Sequence, residues 1–340
     1  MLPPRIVRRL VLAPLMLLAT LGLVTTLPVW VIAASAAVPF LPGRWRPLRL
    51  LWMLLVYMGY ESIGIVLCLG LWIRSGFGVR LRTEAMREEH YRFMAWFVSG
   101  MYASAVRVLK LRVEIEERQG RNDLLRSLTR PLLVFSRHAG PGDSFLLVHE
   151  VLVRLGRRPR IVLLDLLQLD PCLDIVLNRL PNRFVAPDEG AGDRIVAAIG
   201  DLAEDMDERD ALLIFPEGAN FTERRRLRAI ERLRSRGFRR HARDAERMRN
   251  VMPPRPGGAL AAIAARPQTD IMLVAHTGLE HLSTVHDLWR GLPMDQVVRI
   301  GWWIVPEDDL PPSKEERVDW LFSQWGEVDS WIGANRPEVS

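Results

Sequence analysis

From Leu10 to Gly43 the chain runs for 34 residues without a charged side chain, and from Leu50 to Ile73 it carries only one, Glu61. Apolar runs of this length are sized for a bilayer, whose hydrocarbon layer takes about 20 residues of helix. A secretory signal has an apolar core of roughly 7–15 residues, so membrane insertion is the better reading. Pro14, Pro28, Pro39 and Pro42 exclude one straight helix through the first run. Arginines flank every boundary: Arg5, Arg8 and Arg9 before, Arg44, Arg46 and Arg49 between, and Arg74, Arg80 and Arg82 after. Positive flanks favour the cytoplasmic side, and here all three do. That pattern fits two re-entrant hairpins, the first bent near Pro28, with two plain transmembrane helices as the competing arrangement. Residues 1–82 are thus expected to be membrane-anchoring apolar helices or hairpins, and 83–340 a separate domain.

Beyond the apolar start the sequence changes character. A charged, helical-looking stretch, Thr83 to Tyr102, leads to Leu109–Ile115, where apolar and charged residues alternate with the period of a half-buried strand. Short apolar runs follow at Leu132–Phe135, Ile161–Leu164, Ala211–Phe215, Ile271–Ala275 and Val298–Val305, the pattern of buried strands. Helix-like segments such as Asp143–Leu155 and Asp193–Met206 lie between them. Strands alternating with helices predict an α/β domain with a largely parallel sheet flanked by helices, joined to N-terminal membrane-embedded helices. Cys68 and Cys172 are the two cysteines. They suggest neither a disulfide framework nor a metal site and fit a reducing compartment.

Two strand ends carry the residues with chemical potential. The first is "LLVFSRHAGPGDSF" (132–145), where Gly140-Pro141-Gly142 separates His138 from Asp143. On one continuous helix, residues five apart point about 140° away from each other. The Gly-Pro-Gly break prevents that helix and lets the carboxylate reach the imidazole. A carboxylate on one ring nitrogen fixes the tautomer and makes the other nitrogen a stronger base, suited to taking a proton from a hydroxyl. The bland reading is a helix-capping Asp beside an incidental His. The second is "ALLIFPEGANFTERRR" (211–226), another apolar strand entering a tight Pro-Glu-Gly turn. In parallel α/β sheets ligands bind beyond the carboxyl ends of strands, and both segments sit at such ends.

Together, His138-x-x-x-x-Asp143 and Phe215-Pro216-Glu217-Gly218 resemble the glycerolipid acyltransferase family typified by 1-acyl-glycerol-3-phosphate acyltransferases. The resemblance covers roughly Leu132 to Gly278. It implies that His138 deprotonates an acceptor hydroxyl that attacks an acyl thioester, with Asp143 orienting the histidine. It also implies that the Phe215-Pro216-Glu217-Gly218 turn, Glu217 and Gly218 above all, helps bind the glycerol or phosphate part of the acceptor. No metal or cofactor is called for; acyl-CoA or acyl carrier protein is the co-substrate. The expected acceptor is a lysophospholipid, in the family's pattern foremost lysophosphatidic acid, giving phosphatidic acid in phospholipid biosynthesis. The expected place is the cell membrane, with the catalytic domain on the cytoplasmic face.

Several positions depart from the family pattern. Ala219-Asn220 stands where the family continues Thr-Arg, so the arginine that would hold a phosphate is missing, and Arg224, Arg225 or Arg226 is the candidate replacement. Between the motifs, "LDPCLDIVLNRLPNRFVAPD" follows the layout of the family's second block, with Asp174 in place of a glycine and Arg183 as a candidate source of the charge expected after Phe184. "PPRPGGAL" (253–260) is similar to the family's Pro/Gly turn. Asn220 motivates the alternative of a remodelling enzyme for a larger lysophospholipid or another membrane polyol. A non-catalytic membrane protein on the same scaffold is the alternative of another class.

The formal charge is +6, yet Glu223 to Arg249 holds twelve arginines against four acids, a net of +8, leaving −2 for the rest. This segment reads as a helix hairpin interrupted at Gly237, either solvated or lying against anionic headgroups. Nucleic-acid binders interleave aromatics for stacking, and Phe238 is the only one here, so no nucleic acid partner is expected. His276 and His281, five apart with no carboxylate cluster, read as structural or substrate-lining rather than as a metal pair.

Overall fold

The computed structural model describes residues 2–41, 43, 45–117, 129–186, 191–280 and 295–336. The chain forms two units. The first is Met1–Leu111, Leu163–Asp188 and His286–Asp295, and the second is Arg112–Val162, Glu189–Val285 and Gln296–Ser340. The strands, in chain order, are β1 (Arg112–Glu117), β2 (Leu132–Ser136), β3 (Arg158–Leu164), β4 (Arg183–Val185), β5 (Asp210–Ile214), β6 (Asp270–Thr277) and β7 (Val297–Val305).

Proline sets the helix breaks of the first unit. Pro14 has no N–H, and its ring presses on the carbonyl four residues back. The helix Arg5–Thr25 admits it by widening one turn, Arg8–Leu12, just ahead of it, a usual place for such a bulge to absorb a defect. Thr26 ends the helix, its N–H and hydroxyl both donating to Gly22 O (3.1 and 2.7 Å). Leu27–Ala37 then starts with Pro28 in its first turn, where a missing donor costs nothing. The break between the two helices thus falls at Thr26, two residues before Pro28. The helices Arg5–Thr25 and Arg46–Arg74 are each long and apolar enough to cross a membrane.

Helix Arg46–Arg74 packs on helix Glu84–Leu109 through Tyr60, whose ring lies 4.8 Å from Trp96 and 6.0 Å from Phe97, centroid to centroid. Gly100 permits the approach: a Cβ there would stand 1.9 Å from the Tyr60 hydroxyl. Glu61 is buried and accepts the Cys172 N–H at 3.2 Å. Both cysteines are buried free thiols. The alternation that predicts a strand from Leu109 begins too early. Leu109 is the last buried residue of the helix, and Lys110 caps it in the left-handed region (φ 55°) with its N–H on Val106 O. β1 begins only at Arg112.

The second unit is α/β. Six of the strands lie in the order β1-β7-β6-β2-β5-β3, parallel throughout except for the antiparallel β6/β7 pair. β2 sits between two parallel partners, so all five of its residues are buried, and its sequence is a continuous apolar run rather than an alternation. One sheet face, with Leu133 and Phe135, packs against Ile199, Leu202 and Ala203 of helix Ala191–Glu204, Ala259 and Ala262 of helix Pro256–Ala265, and Trp325 and Val328 of helix Lys314–Asn335. Ser136, Val274 and Ile300 face the other way, where Leu147 of helix Pro141–His149 and Val151 share a cavity with them. Register places the two motifs together: Phe135 pairs with Ile214 on one side and Leu273 on the other, so the chain leaves β2 and β5 side by side, in step, at their carboxyl ends.

Candidate active site

After β2 the chain holds the sheet for one more residue, Arg137 N–H donating to Val274 O at 3.3 Å, and then turns. Gly140 is extended and Pro141 opens the helix, which puts Asp143 in its first turn with its carboxylate directed back along the incoming loop. Asp143 Oδ2 accepts the N–H of Ala139 and of Gly140 (3.0 Å for the latter), and both carboxylate oxygens lie 3.2 Å from His138 Nδ1. This is the fold-back that the Gly-Pro-Gly break allows. The carboxylate is 2% exposed, whereas the His138 side chain is 21% exposed. Nδ1 faces the carboxylate, and Nε2 has no hydrogen-bond partner among the described residues. Phe215 lies against the imidazole, ring centroids 4.5 Å apart.

The β5 turn braces this loop from below. Gly218 takes φ +68° and its N–H closes a tight turn on Phe215 O at 2.9 Å, a left-handed position that suits glycine. The turn drives Glu217 inward. Glu217 is 1% exposed, and its two oxygens accept the His138 N–H (3.2 Å) and the Met252 N–H (3.0 Å). Its geometry is therefore that of a clamp on the histidine backbone rather than of a surface ligand. Phe221 N–H fixes the other side, donating to His138 O at 2.8 Å. Burial pushes the Glu217 carboxyl up to about 8, against the pull of the Met252 N–H, Arg137 and the His138 N–H. Asp143 goes the other way: burial works against ionisation, yet the hydrogen bond from His138, the two imidazoles and the Gly140 N–H hold its carboxyl below the ordinary range.

Two further residues belong to the site: His276, which the sequence offers as structural or substrate-lining, and Arg137, which it does not single out. His276, at the end of β6, lies 3.7 Å by Nε2 from Asp143 Oδ2 and 3.1 Å from Arg137 O. Burial holds its pKa below the ordinary imidazole value, so Asp143 has an imidazole on each side. Arg137 is wholly buried, its Nη1 donating to His276 O (2.9 Å) and Glu280 Oε1 (2.6 Å). Although burial opposes it, Arg137 holds the Glu280 carboxyl down at about 2. Register was the available signal: Val274 pairs with Ser136, so β6 must deliver His276 beside the His138 loop. His281, its sequence partner, lies outside the described residues. Among the described residues no group of three or more His, Cys, Asp and Glu side chains is placed to hold a metal ion.

The remaining candidates separate. Pro216 is buried, Phe215 and Asn220 are half-buried and Gly218 is exposed. Arg226 is buried and committed, donating to Met248 O, Glu246 O and Glu223. Arg225 is exposed and holds Asn220 O at 3.1 Å. Arg224 is exposed. Arg183, exposed in β4, belongs to the first unit. Arg255 was not among the expected residues, yet it reaches the turn: its N–H donates to Pro216 O at 2.7 Å, and its exposed side chain crosses Gly218, where an added Cβ would stand 3.2 Å from Cδ and Nη1. Asp143 and His276 also line a cavity of about 180 Å³, walled by Leu147, Val151, Met272, Ile300 and Trp302.

No protein-family profile matches the chain, and no curated protein matches it. The arginine-rich segment forms two helices, Glu223–Ser235 and Arg239–Arg247, joined through Gly237 at φ +84°, with Ile230, Ala242 and Ala245 packed between them.

Proposed function

We propose that the protein is a membrane-bound acyltransferase that moves an acyl chain from a thioester, acyl-CoA or acyl carrier protein, to the hydroxyl of a lysophospholipid, with lysophosphatidic acid as the first candidate. The observation that carries this is the His138–Asp143 pair: a buried carboxylate on Nδ1 of a partly exposed histidine at the carboxyl ends of two parallel strands. His138 Nε2 takes the acceptor's hydroxyl proton as that oxygen attacks the thioester carbonyl carbon. The C–O ester bond forms, the C–S bond breaks, and the departing thiolate receives the proton back from His138. Asp143 stabilises the imidazolium between these steps. Glu217 does not touch substrate in this scheme; it holds the His138 backbone so that Nε2 keeps its aim. Arg255, with Arg224, is the cation offered to an anionic headgroup, in place of the arginine missing after Gly218.

The two bilayer-length helices support a chain that sits in a membrane, where an amphiphilic acceptor is found, with its catalytic unit on the cytoplasmic side, where thioester donors are made. The test is an assay of the full chain in vesicles with labelled acyl-CoA or acyl carrier protein and a panel of lysophospholipids. The expected result is esterified acceptor that depends on the chain. Absence of transfer to every acceptor from either donor overturns the proposal.

A further inference from the structure

In the first unit, the segment that follows β3 is inside-out. Asp165–Leu169 is a single tight turn in the sequence Leu-Leu-Asp-Leu-Leu-Gln-Leu (163–169). Its leucines point outward: Leu164, Leu166, Leu167 and Leu169 are 50, 57, 40 and 45% exposed. Its polar residues point inward. Gln168 is buried, accepts from Arg8 at 2.7 Å and donates to Asp165 at 3.1 Å. Asp170 accepts the Tyr57 hydroxyl at 2.6 Å, and Asp174, 1% exposed, binds Arg8 and Arg9 at 2.7 and 3.0 Å. A turn that faces water shows the reverse arrangement.

These inward contacts tie the turn to both bilayer-length helices, to the first through Arg8 and Arg9 and to the second through Tyr57. The outward face of the first helix beside Arg8 is itself apolar, with Ile6, Leu10 and Val11 more than half exposed. The leucines therefore continue the apolar surface of the membrane helices rather than forming an isolated patch.

We infer that Leu164–Leu169 is a third membrane contact, a leucine turn lodged in the acyl-chain region of one leaflet next to the entry point of the first helix. Its occupant is lipid hydrocarbon. The inference rests on the membrane reading given above and adds to it a segment that hydropathy along the chain does not single out, because it is too short to span.

The test uses the full chain carrying Leu166→Cys, labelled with an environment-sensitive fluorophore and reconstituted in vesicles of phosphatidylcholine and phosphatidylglycerol. Cys68 and Cys172 are buried, so the parent chain taken through the same labelling is the background control. The expected result is a blue-shifted emission, quenched by lipid bearing a nitroxide high on its acyl chain and little by aqueous iodide, with labels at Leu164→Cys and Leu169→Cys behaving alike. Emission at the position of water with strong iodide quenching, in a chain that floats with the vesicles, overturns this inference alone. So does a blue shift that neither quencher reaches, which marks a protein partner over the leucines. A chain that does not float with the vesicles removes the membrane reading and this inference with it.

Discussion

Asp143 and Glu217 are both carboxylates, both almost wholly buried, and both bonded to the loop that carries His138, yet their surroundings drive them apart. Asp143 is held below the ordinary carboxylate range while Glu217 is pushed up to about 8. Burial is common to both and raises both. The difference is in the donors. Asp143 faces two imidazoles and two N–H groups, whereas Glu217 has two N–H groups and the positive charge of Arg137, and the charge of Asp143 itself pushes it further up. Depth of burial alone therefore decides neither the ionisation state nor the role. The carboxylate with imidazoles around it is suited to stabilise a charge that appears during reaction, and the one among backbone amides is suited to hold a loop still.

The largest effect expected from breaking this arrangement is at the histidine. His138→Ala should reduce acyl transfer by roughly 10²–10⁴-fold, the usual worth of a general base, in a chain that still binds vesicles; near-normal turnover would remove the proposed chemistry. Asp143→Asn comes next, at the lower end, on the order of 10²-fold, because size is kept and the charge opposite the imidazolium is lost. It is checked by kcat with acceptor and donor saturating. Arg255→Ala should raise the KM for an anionic acceptor by roughly 10-fold or more, the worth of a charged hydrogen bond of about 1.5–3 kcal/mol, and leave the KM of the donor in place. An unchanged acceptor KM would move the headgroup to Arg224.

The smallest effect on turnover is expected at Glu217→Gln, and its signature is in stability. A carboxyl whose folded pKa is raised from 4.5 to about 8 keeps its full contribution below pH 4.5 and loses it progressively as pH rises from there to about 8. The loss is about 1.4 kcal/mol for every tenfold difference in proton affinity between the folded and unfolded chain. Asp143 has the opposite sign: its contribution is present above the ordinary value of 3.8 and is lost as pH falls below it. Thermal unfolding followed from pH 4 to 9 should therefore show a decline between about pH 4.5 and 8 that Glu217→Gln flattens and Asp143→Asn leaves alone. A decline that survives Glu217→Gln belongs to another group.

The His138–Asp143 contact was legible in the sequence because it is local: five residues, a Gly-Pro-Gly hinge and an apolar strand before it determine where the carboxylate goes. β2 and β5 were legible for the same reason, since burial on both faces leaves an unbroken apolar run. β4 escaped because three residues, Arg183–Val185, carry no period. The work of Glu217 could not be read locally, since the donor that turns it into a clamp, Met252, is 35 residues away. Nor could that of Arg226, which the sequence offers as an anion ligand and the fold spends on Met248 and Glu246 carbonyls. Arg255 was hidden by distance as well: only the fold lays it across Gly218.

The place of β2, between β5 and β6, has a consequence for how the protein is made. During synthesis its apolar run emerges well before either neighbour, and Arg137 waits 139 residues for His276. At about 5–20 residues per second that wait is on the order of ten seconds. Until β5 (Asp210–Ile214) emerges the nascent strand has two open edges, and until β6 follows it keeps one, the condition under which chains pair with the wrong partner. Substitutions that make β2 less sticky while unpaired should therefore raise the yield of folded protein without touching what the finished site can do.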